Sequence, residues 1–374
     1  MDEHAAISSS GGARLRKNRN RFVALVDDPD AKMSNTKRPP ATVADEPRSR
    51  DHQTVVNWFL AQERVRERFA WSLRDSLDEL LDGGRTGRWC YQHLKKTEKT
   101  YLGTAIEVNF TKEFDIGDGG HLDWLIDGVD VDCKFSKDFG GWEIPMEMYL
   151  CSEHGEQSGS ADHVAMLLWM SDDSREWAAG VAVIKDSMLK FNSDGRRQYN
   201  RDNKRKLSDE GLKEVHWLWG GLQRDLPENL LLELPVLTRD SILSHKSGQQ
   251  RVNALFREVQ QKIITRAVVS TVAQQDDPMK RARDARKPSQ LGQYGFLIIG
   301  HQDADPHIAT ALKLPVPVKG EYVSCRIRKA NSVDHPRVCL DGDWWTIAKG
   351  GDEIEPAPER KLFEKMTIDE LNGC

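Results

Sequence analysis

Several things are missing from this chain of 374 residues. No apolar run approaches the ~18 residues that a membrane-spanning helix needs, and the amino terminus lacks the apolar core of a secretion signal. Cysteine is sparse and scattered. Cys90, Cys133, Cys151, Cys325, Cys339 and Cys374 contain no C-x-x-C pair and lie far apart, which favours reduced thiols over a disulfide framework or a zinc site. Excess positive charge is also absent: 54 lysines and arginines stand against 59 acidic residues, a net charge of −5. Contact with a polyanion must then rest on local basic patches. The expectation is a cytoplasmic protein with no membrane contact. What remains, 38% hydrophobic and 30% charged, is the composition of a globular protein. Its length suggests two domains, at roughly 100–200 residues each.

The most informative stretch is residues 122–136, Leu-Asp-Trp-Leu-Ile-Asp-Gly-Val-Asp-Val-Asp-Cys-Lys-Phe-Ser. Two runs of β-formers flank Asp127-Gly128, a strong two-residue hairpin signal. That turn sets Ile126 opposite Val129, Leu125 opposite Asp130, Trp124 opposite Val131 and Asp123 opposite Asp132. Side chains two apart share a face, so Lys134 joins the two aspartates while Val131, Cys133 and Phe135 point the other way. Opposed carboxylates repel, and a divalent cation with oxygen ligands removes the repulsion. A lysine beside such an ion can hold an attacking water and offset charge on a phosphate.

Upstream, residues 1–50 read as a mostly disordered tail with a basic cluster between Arg14 and Arg21. Phe69, Leu73, Leu77 and Leu81 recur every four residues and mark an amphipathic helix, which Gly83-Gly84 stops. Its end, Leu80-Leu81-Asp82-Gly83, would match the K-x-D-G nucleotidyl-transfer motif of DNA ligases were residue 80 lysine. Leucine has no amine, so no enzyme–nucleotide bond can form there. A second helix over 100–114 carries Leu102, Ile106, Phe110 and Phe114. Glu107 lies one step round from that stripe, aligned with Gly103 and Thr111.

Glu107, then Asp123, then Asp132-Cys133-Lys134, after the L-x-D-G helix end, resemble the divided active site of the PD-(D/E)xK nuclease superfamily. More narrowly they resemble the NaeI type of type II restriction endonuclease, over about residues 55–350. One departure is that no proline precedes Asp123. The resemblance implies a sequence-specific, Mg²⁺-dependent endonuclease acting on double-stranded DNA and leaving a 5′-phosphate. Asp123 and Asp132 would ligate the metal together with the main-chain carbonyl of Cys133. Glu107 would bind a second metal or orient a metal-bound water, and Lys134 would position the attacking water. Cutting both strands of a palindrome needs two sites, hence a homodimer. A cognate DNA methyltransferase is the implied genetic partner. A nicking repair endonuclease on the same core, or a DNA-binding regulator with an inactive nuclease domain, are the alternatives.

The expected fold is α/β: a restriction-endonuclease-like mixed-sheet core over 51–205, with Val164–Met170 and Gly180–Ile184 as buried strands. A winged helix-turn-helix domain is expected over 206–350 and a tail over 351–374. Polar residues 193–213 read as a linker or a DNA-facing loop. In the second domain, Val252, Leu255, Phe256 and Val259 mark one helix, opened by Ser247-Gly248. Residues 264–273 give another, with Ala267, Val268 and Val272 inward. Asp277-Pro278 starts a third, packing Met279, Ala282 and Ala285 and turning Lys280, Arg281, Arg283, Arg286 and Lys287 outward. Tyr294–Ile299 and Tyr322–Ile327 would be wing strands. A helix so placed reads DNA bases and phosphates in the major groove, and the resemblance implies that this domain binds a second DNA copy. His121 reads as a polar turn residue.

Overall fold

The computed structural model describes residues 37–39, 49–153, 156–157 and 161–374; the basic cluster between Arg14 and Arg21 lies outside them. The chain forms two compact units. The first contains the described residues up to Leu81 and Cys90–Asn229; the second contains Asp82–Trp89 and Leu230–Cys374. The division therefore falls after Asn229 rather than at the expected 205, and a short early segment joins the second unit.

In the first unit, helix α1 (Arg50–Leu60) begins at Ser49, whose hydroxyl accepts from the His52 amide. Helix α2 (Val65–Leu81) buries Phe69, Leu73, Leu77 and Leu81 at the expected spacing. Its end is set by Asp82, left-handed at φ 44°, while Gly83-Gly84 begin the next turn, α3 (Gly83–Thr86), in the second unit. Gly83 admits no side chain: a Cβ would run into the Thr271 hydroxyl and lie 2.8 Å from the Arg88 carbonyl oxygen. Helix α4 (Lys96–Phe114) buries Leu102, Ile106, Phe110 and Phe114.

The strands are β1 (Gly117–Asp118), β2 (Trp124–Ile126), β3 (Val129–Ser136), the small pair β4 (Ser152–Glu153) and β5 (Glu156–Gln157), β6 (Val164–Ser171) and β7 (Glu176–Val183). After α5 (Asp209–Lys213), β8 (His216–Trp217) completes a sheet of order β1-β2-β3-β6-β7-β8. The sheet is mixed, since β3 and β6 run parallel and the other neighbours antiparallel. Val131, Cys133, Val164 and Met166 share an apolar cluster with α1, α2 and α4. Ala165, Leu167 and Trp169 face the other way, onto Trp142, Met148, Tyr149, Leu207 and Trp217. Burial on both faces explains the unbroken apolar runs of β6 and β7.

Residues 193–213 are no linker. Phe191 bridges Arg197, Leu189 bridges Leu207 and Ile144 bridges Arg205, so the stretch is folded into the first unit. Arg205 is 1% exposed; it pairs with Asp186, donates to the Lys190 carbonyl at 2.9 Å and lies over the Phe191 ring. Its charge signalled solvent, but a complete set of partners makes it a core residue. Lys37 and Arg38, placed by sequence in the disordered tail, make ion pairs with Asp209 and Glu176 at 2.6 and 2.7 Å.

The second unit continues with α6 (Leu230–Glu233), α7 (Val236–Leu243), α8 (Gly248–Glu258), β9 (Ile263–Thr265), α9 (Arg266–Ala273), α10 (Pro278–Ala285), β10 (Phe296–Ile299), α11 (Asp305–Ala311), β11 (Glu321–Lys329), β12 (Val338–Leu340), β13 (Asp343–Ile347) and α12 (Ile368–Asn372). Ser247 caps α8 through a capping box and Asp277 caps α10, accepting from the Lys280 amide. In α9 the inward face is Val269, Val272 and Ala273; Ala267 is exposed and Val268 half-buried. The phase was misjudged because 263–265 is a strand, so the helix begins later than the apolar run. Strand β11 pairs with β9, β10 and β13, all antiparallel.

Residues beyond 350 are not a loose tail: Phe363 and Leu371 enter the same core as Ile299, Val323 and Trp345. Cys339 and Cys374 form a disulfide with Cα atoms 5.5 Å apart, against the expectation of reduced thiols throughout. Their separation of 35 residues gave no sign of it; α12, packed against β12, brings the last residue to the strand.

Candidate active site

The hairpin forms in the expected register, Trp124 opposite Val131, Leu125 opposite Asp130 and Ile126 opposite Val129. Asp127 and Gly128 take φ of 46° and 82°, both positive, as a primed two-residue turn demands. Just beyond the paired residues, Asp123 Oδ2 accepts from the Cys133 amide at 2.7 Å. Asp123 thereby lies beside Asp132 with its position fixed by the backbone of the next strand. Lys134 Nζ is 2.5 Å from Asp132 Oδ1 and 3.7 Å from Asp123 Oδ2. Cys133 turns away into the apolar cluster, where burial pushes its thiol well up, so its side chain is no ligand; its carbonyl oxygen is 3.5 Å from Lys134 Nζ.

Glu107 comes from α4, and a chain of hydrogen bonds ties its turn to the hairpin. The Trp124 indole donates to the Thr111 hydroxyl at 2.9 Å, and that hydroxyl donates to the Glu107 carbonyl at 2.9 Å. Sequence reading missed this positioning role. Thr111 four residues after Glu107 was the available signal, since Thr commonly bonds back to the i−4 carbonyl.

The electrostatics match a site that holds its charge in tension. Burial raises the Glu107 carboxyl, and Asp123 and Asp132 raise it further against the opposing effect of Lys134. Burial likewise raises Asp132; Lys134 opposes this, while Asp123 and Glu147 add to it. Glu147, on the single turn Met146–Met148, is an acidic neighbour that the sequence did not suggest. Burial alone would lower Lys134, but Asp132 and then Asp123 reverse it, so the ammonium is held charged.

The donor set fits a hard divalent cation. Asp132 is 5% exposed, and its Oδ2 is buried with no hydrogen-bond partner among the described residues. An ionised oxygen so placed requires a cation or a proton. Among the described residues no three His, Cys, Asp or Glu side chains form a metal cage. An ion that binds through one or two carboxylates plus water and phosphate needs none.

A raised carboxyl pKa means the folded protein holds that proton more tightly than the unfolded chain. The ionised form then costs stability above that pKa, and the cost is relieved as pH falls through it. Glu107→Gln is accordingly expected to raise the urea midpoint of the metal-free protein at neutral pH while lowering cleavage. A lower midpoint would show that Glu107 is held by favourable contacts instead.

The family model described as restriction endonuclease NaeI matches residues 53–356. The chain belongs to the NaeI family. It is 44% identical over 300 residues to the type II restriction enzyme NaeI of Lentzea aerocolonigenes, covering 78% of this chain and 88% of that protein. As a NaeI-family member, the chain is a type II restriction enzyme, a sequence-specific endodeoxyribonuclease, and no helix among its described residues is long and apolar enough to cross a membrane.

The basic helix of this NaeI-family chain is less uniform than its sequence suggests. Lys280, Arg283 and Lys287 are exposed, with Arg283 Nη2 3.3 Å from Asp277 and Lys287 Nζ 2.7 Å from Asp284. Arg281 is half-buried, 3.6 Å from Asp284. Arg286, expected to face outward, does not. It follows the last turn of α10 and lies 3.4 Å from buried Asp305 and over the Tyr322 ring. Helical spacing no longer governs a residue past the helix end, and a buried carboxylate draws it in. His121 is exposed in the loop before β2.

Proposed function

We propose that the enzyme hydrolyses DNA phosphodiesters with Mg²⁺ at Asp123, Asp132 and Lys134, with Glu107 as the fourth member. The buried, partnerless Oδ2 of Asp132 beside a charged lysine is the observation that carries this reading. Asp123 and Asp132, with the Cys133 carbonyl, would hold the ion. When bound, Mg²⁺ supplies Lewis-acid stabilisation of the phosphate and lowers the pKa of a water. Lys134 holds the attacking water in line and offsets the charge that grows on the phosphate oxygens. Glu107 orients that water or a second ion. Strand scission leaves a 5′-phosphate with no covalent enzyme intermediate, as the resemblance to PD-(D/E)xK nucleases implies.

Incubating the protein with plasmid DNA in Mg²⁺ should yield a fixed set of fragments whose ends all carry 5′-phosphates. Ca²⁺, larger and looser in geometry, should support binding without cutting. Efficient cleavage in Ca²⁺, or random nicking in Mg²⁺, would overturn the assignment.

The second unit serves as a winged helix-turn-helix that binds a second DNA copy. The order β9-β11-β10, with α8 before β9 and α9 and α10 after it, supports this, as do the exposed Lys280, Arg283 and Lys287. Arg281 lends charge at the edge of that face, and Arg286 holds α10 to Asp305. Replacing Lys280, Arg283 and Lys287 by alanine should weaken DNA binding and reduce the salt slope by roughly one per lost phosphate contact. An unchanged slope would remove α10 from the DNA interface. A cytoplasmic homodimer, paired genetically with a DNA methyltransferase, completes the proposal.

A further inference from the structure

The second unit contains an open cavity of about 490 Å³ at the amino-terminal end of β10, within the size range of small-ligand sites. Arg257, Gln260, Tyr294, Arg326, Lys349 and Ile354 line it. Strand register places it away from the helix proposed to read DNA. Phe296, the first residue of β10, pairs with Arg326, whereas α10 meets β11 at Tyr322, whose hydroxyl lies 3.6 Å from Met279 Sδ. Tyr322 and Arg326 are four residues apart along β11, roughly 13 Å.

Two features give the cavity a chemistry. The first is positive charge, since the charged residues that line the cavity are Arg257, Arg326 and Lys349. Arg326 is pinned by its Nη2, which donates to the carbonyls of Lys349 and Asp352 at 2.8 and 3.3 Å, and Gln260 accepts from its amide at 3.0 Å. These partners are neutral, and among the described residues neither Arg326 nor Lys349 has a carboxylate ion pair. Arg257 is shared with Glu258 at 3.3 Å, and Asp352 pairs with Arg328 at 2.9 Å, which also holds Asp334. Three cations thus line the cavity and no acid does, while Glu258, Asp334 and Asp352 lie behind them. The second feature is apolar surface in the open, with Tyr294 50% and Ile354 61% exposed. Gly350 and Gly351 also line it, on open space where a Cβ would meet nothing within 4 Å.

A phosphate against arginine and lysine, with a planar ring against tyrosine and isoleucine, describes a nucleotide. We infer that this cavity is a nucleotide-binding site separate from the basic face of α10. It takes one phosphorylated nucleotide unit, either free in solution or at the 5′ end of a DNA strand. The phosphate is held by Lys349, Arg326 and Arg257, and the base lies on Tyr294.

The test is calorimetric titration of the full-length protein, without divalent cation, by deoxyadenosine 5′-monophosphate, deoxyadenosine, inorganic phosphate and a short 5′-phosphorylated single strand. The mononucleotide should bind saturably, with the nucleoside and phosphate each at least about tenfold weaker. Tyr294→Ala should weaken the nucleotide by about tenfold, as the loss of one stacked base does. Arg257→Ala with Lys349→Ala should weaken it by at least as much. All three residues are exposed, so these variants keep the fold, which circular dichroism checks. Displacement of the mononucleotide by the 5′-phosphorylated strand assigns the site to a strand end; failure to displace assigns it to the free nucleotide. Absence of saturable binding, or equal affinity for phosphate and nucleotide, overturns the inference. So does nucleotide binding that survives the cavity variants but is lost in Arg283→Ala. The α10 proposal is decided by the duplex salt slope instead, so the two can fail independently.

Discussion

Lys134→Ala should reduce cleavage on the order of 10²–10³ or more while leaving DNA affinity largely unchanged. The reason lies in what the ammonium faces. Lys134 Nζ is 2.5 Å from Asp132 and 3.7 Å from Asp123, so it is the cation that the two carboxylates hold at the proposed site. Alanine leaves these acids without it and leaves the transition state without a positive charge. Arginine is a poor substitute, since its planar fork cannot reproduce a compact ammonium. Asp132→Asn should cost as much by a different route: the volume is kept, but the charge that draws the cation is gone. Plasmid cleavage under single-turnover conditions measures the chemical step, and a filter-binding isotherm in Ca²⁺ measures affinity. Near-normal cutting by either variant would remove these residues from the chemistry. Equal losses in cutting and in binding would recast them as part of the DNA-binding surface.

Asp172→Ala should destabilise the first unit by about 3–5 kcal/mol, the cost of leaving a buried charge without its partner. Arg74 Nη1 lies 2.5 Å from Asp172 Oδ1, and the two side chains are 3% and 2% exposed. Burial alone would push the Arg74 guanidinium down, yet Asp172 and Asp78 more than reverse that, so the arginine stays charged when its partner is cut away. Asn229 also donates to Asp172 at 2.9 Å and would lose its acceptor. The pair Arg64–Glu67 is the contrast, with side chains 68% and 49% exposed. There Glu67→Ala should leave stability nearly unchanged, because solvent screens both charges. Urea unfolding of the two variants side by side checks this. A loss under 1 kcal/mol for Asp172→Ala would mean that Asp78 alone compensates the buried arginine.

The central hairpin was legible from local chemistry. Asp127-Gly128 supplies two residues that tolerate positive φ, and once the turn is fixed the period of two assigns every side chain to a face. Asp123, Asp132 and Lys134 were therefore placed together, and Cys133 opposite them, from sequence order alone. The helices of the first unit were equally plain, since Phe69 to Leu81 and Leu102 to Phe114 repeat at helical spacing. Glu107 was a different case. Its place beside the apolar stripe of its helix was legible, but its role came only from the carboxylates of the hairpin that follows and from the resemblance to a family; the structure ties its turn to the hairpin through the Trp124–Thr111 bond.

What only the tertiary structure decided concerns charged and terminal residues. Arg205 and Arg286 read as solvent-facing because arginine is rarely buried without a partner, and their partners, Asp186 and Asp305, come from elsewhere in the chain. The pairing of Cys339 with Cys374 and the burial of Phe363 and Leu371 depend on where the chain returns, which no local pattern encodes. The same holds for Asp82–Trp89. Its sequence is an ordinary helix end, but Gly83, fitted against Thr271, shows that the segment belongs with residues almost two hundred positions later. Periodicity and turn chemistry act over a few residues and can be read in order. Burial of a charge or docking of a terminus is a contact between distant segments, and its free energy exists only once the fold has brought them together.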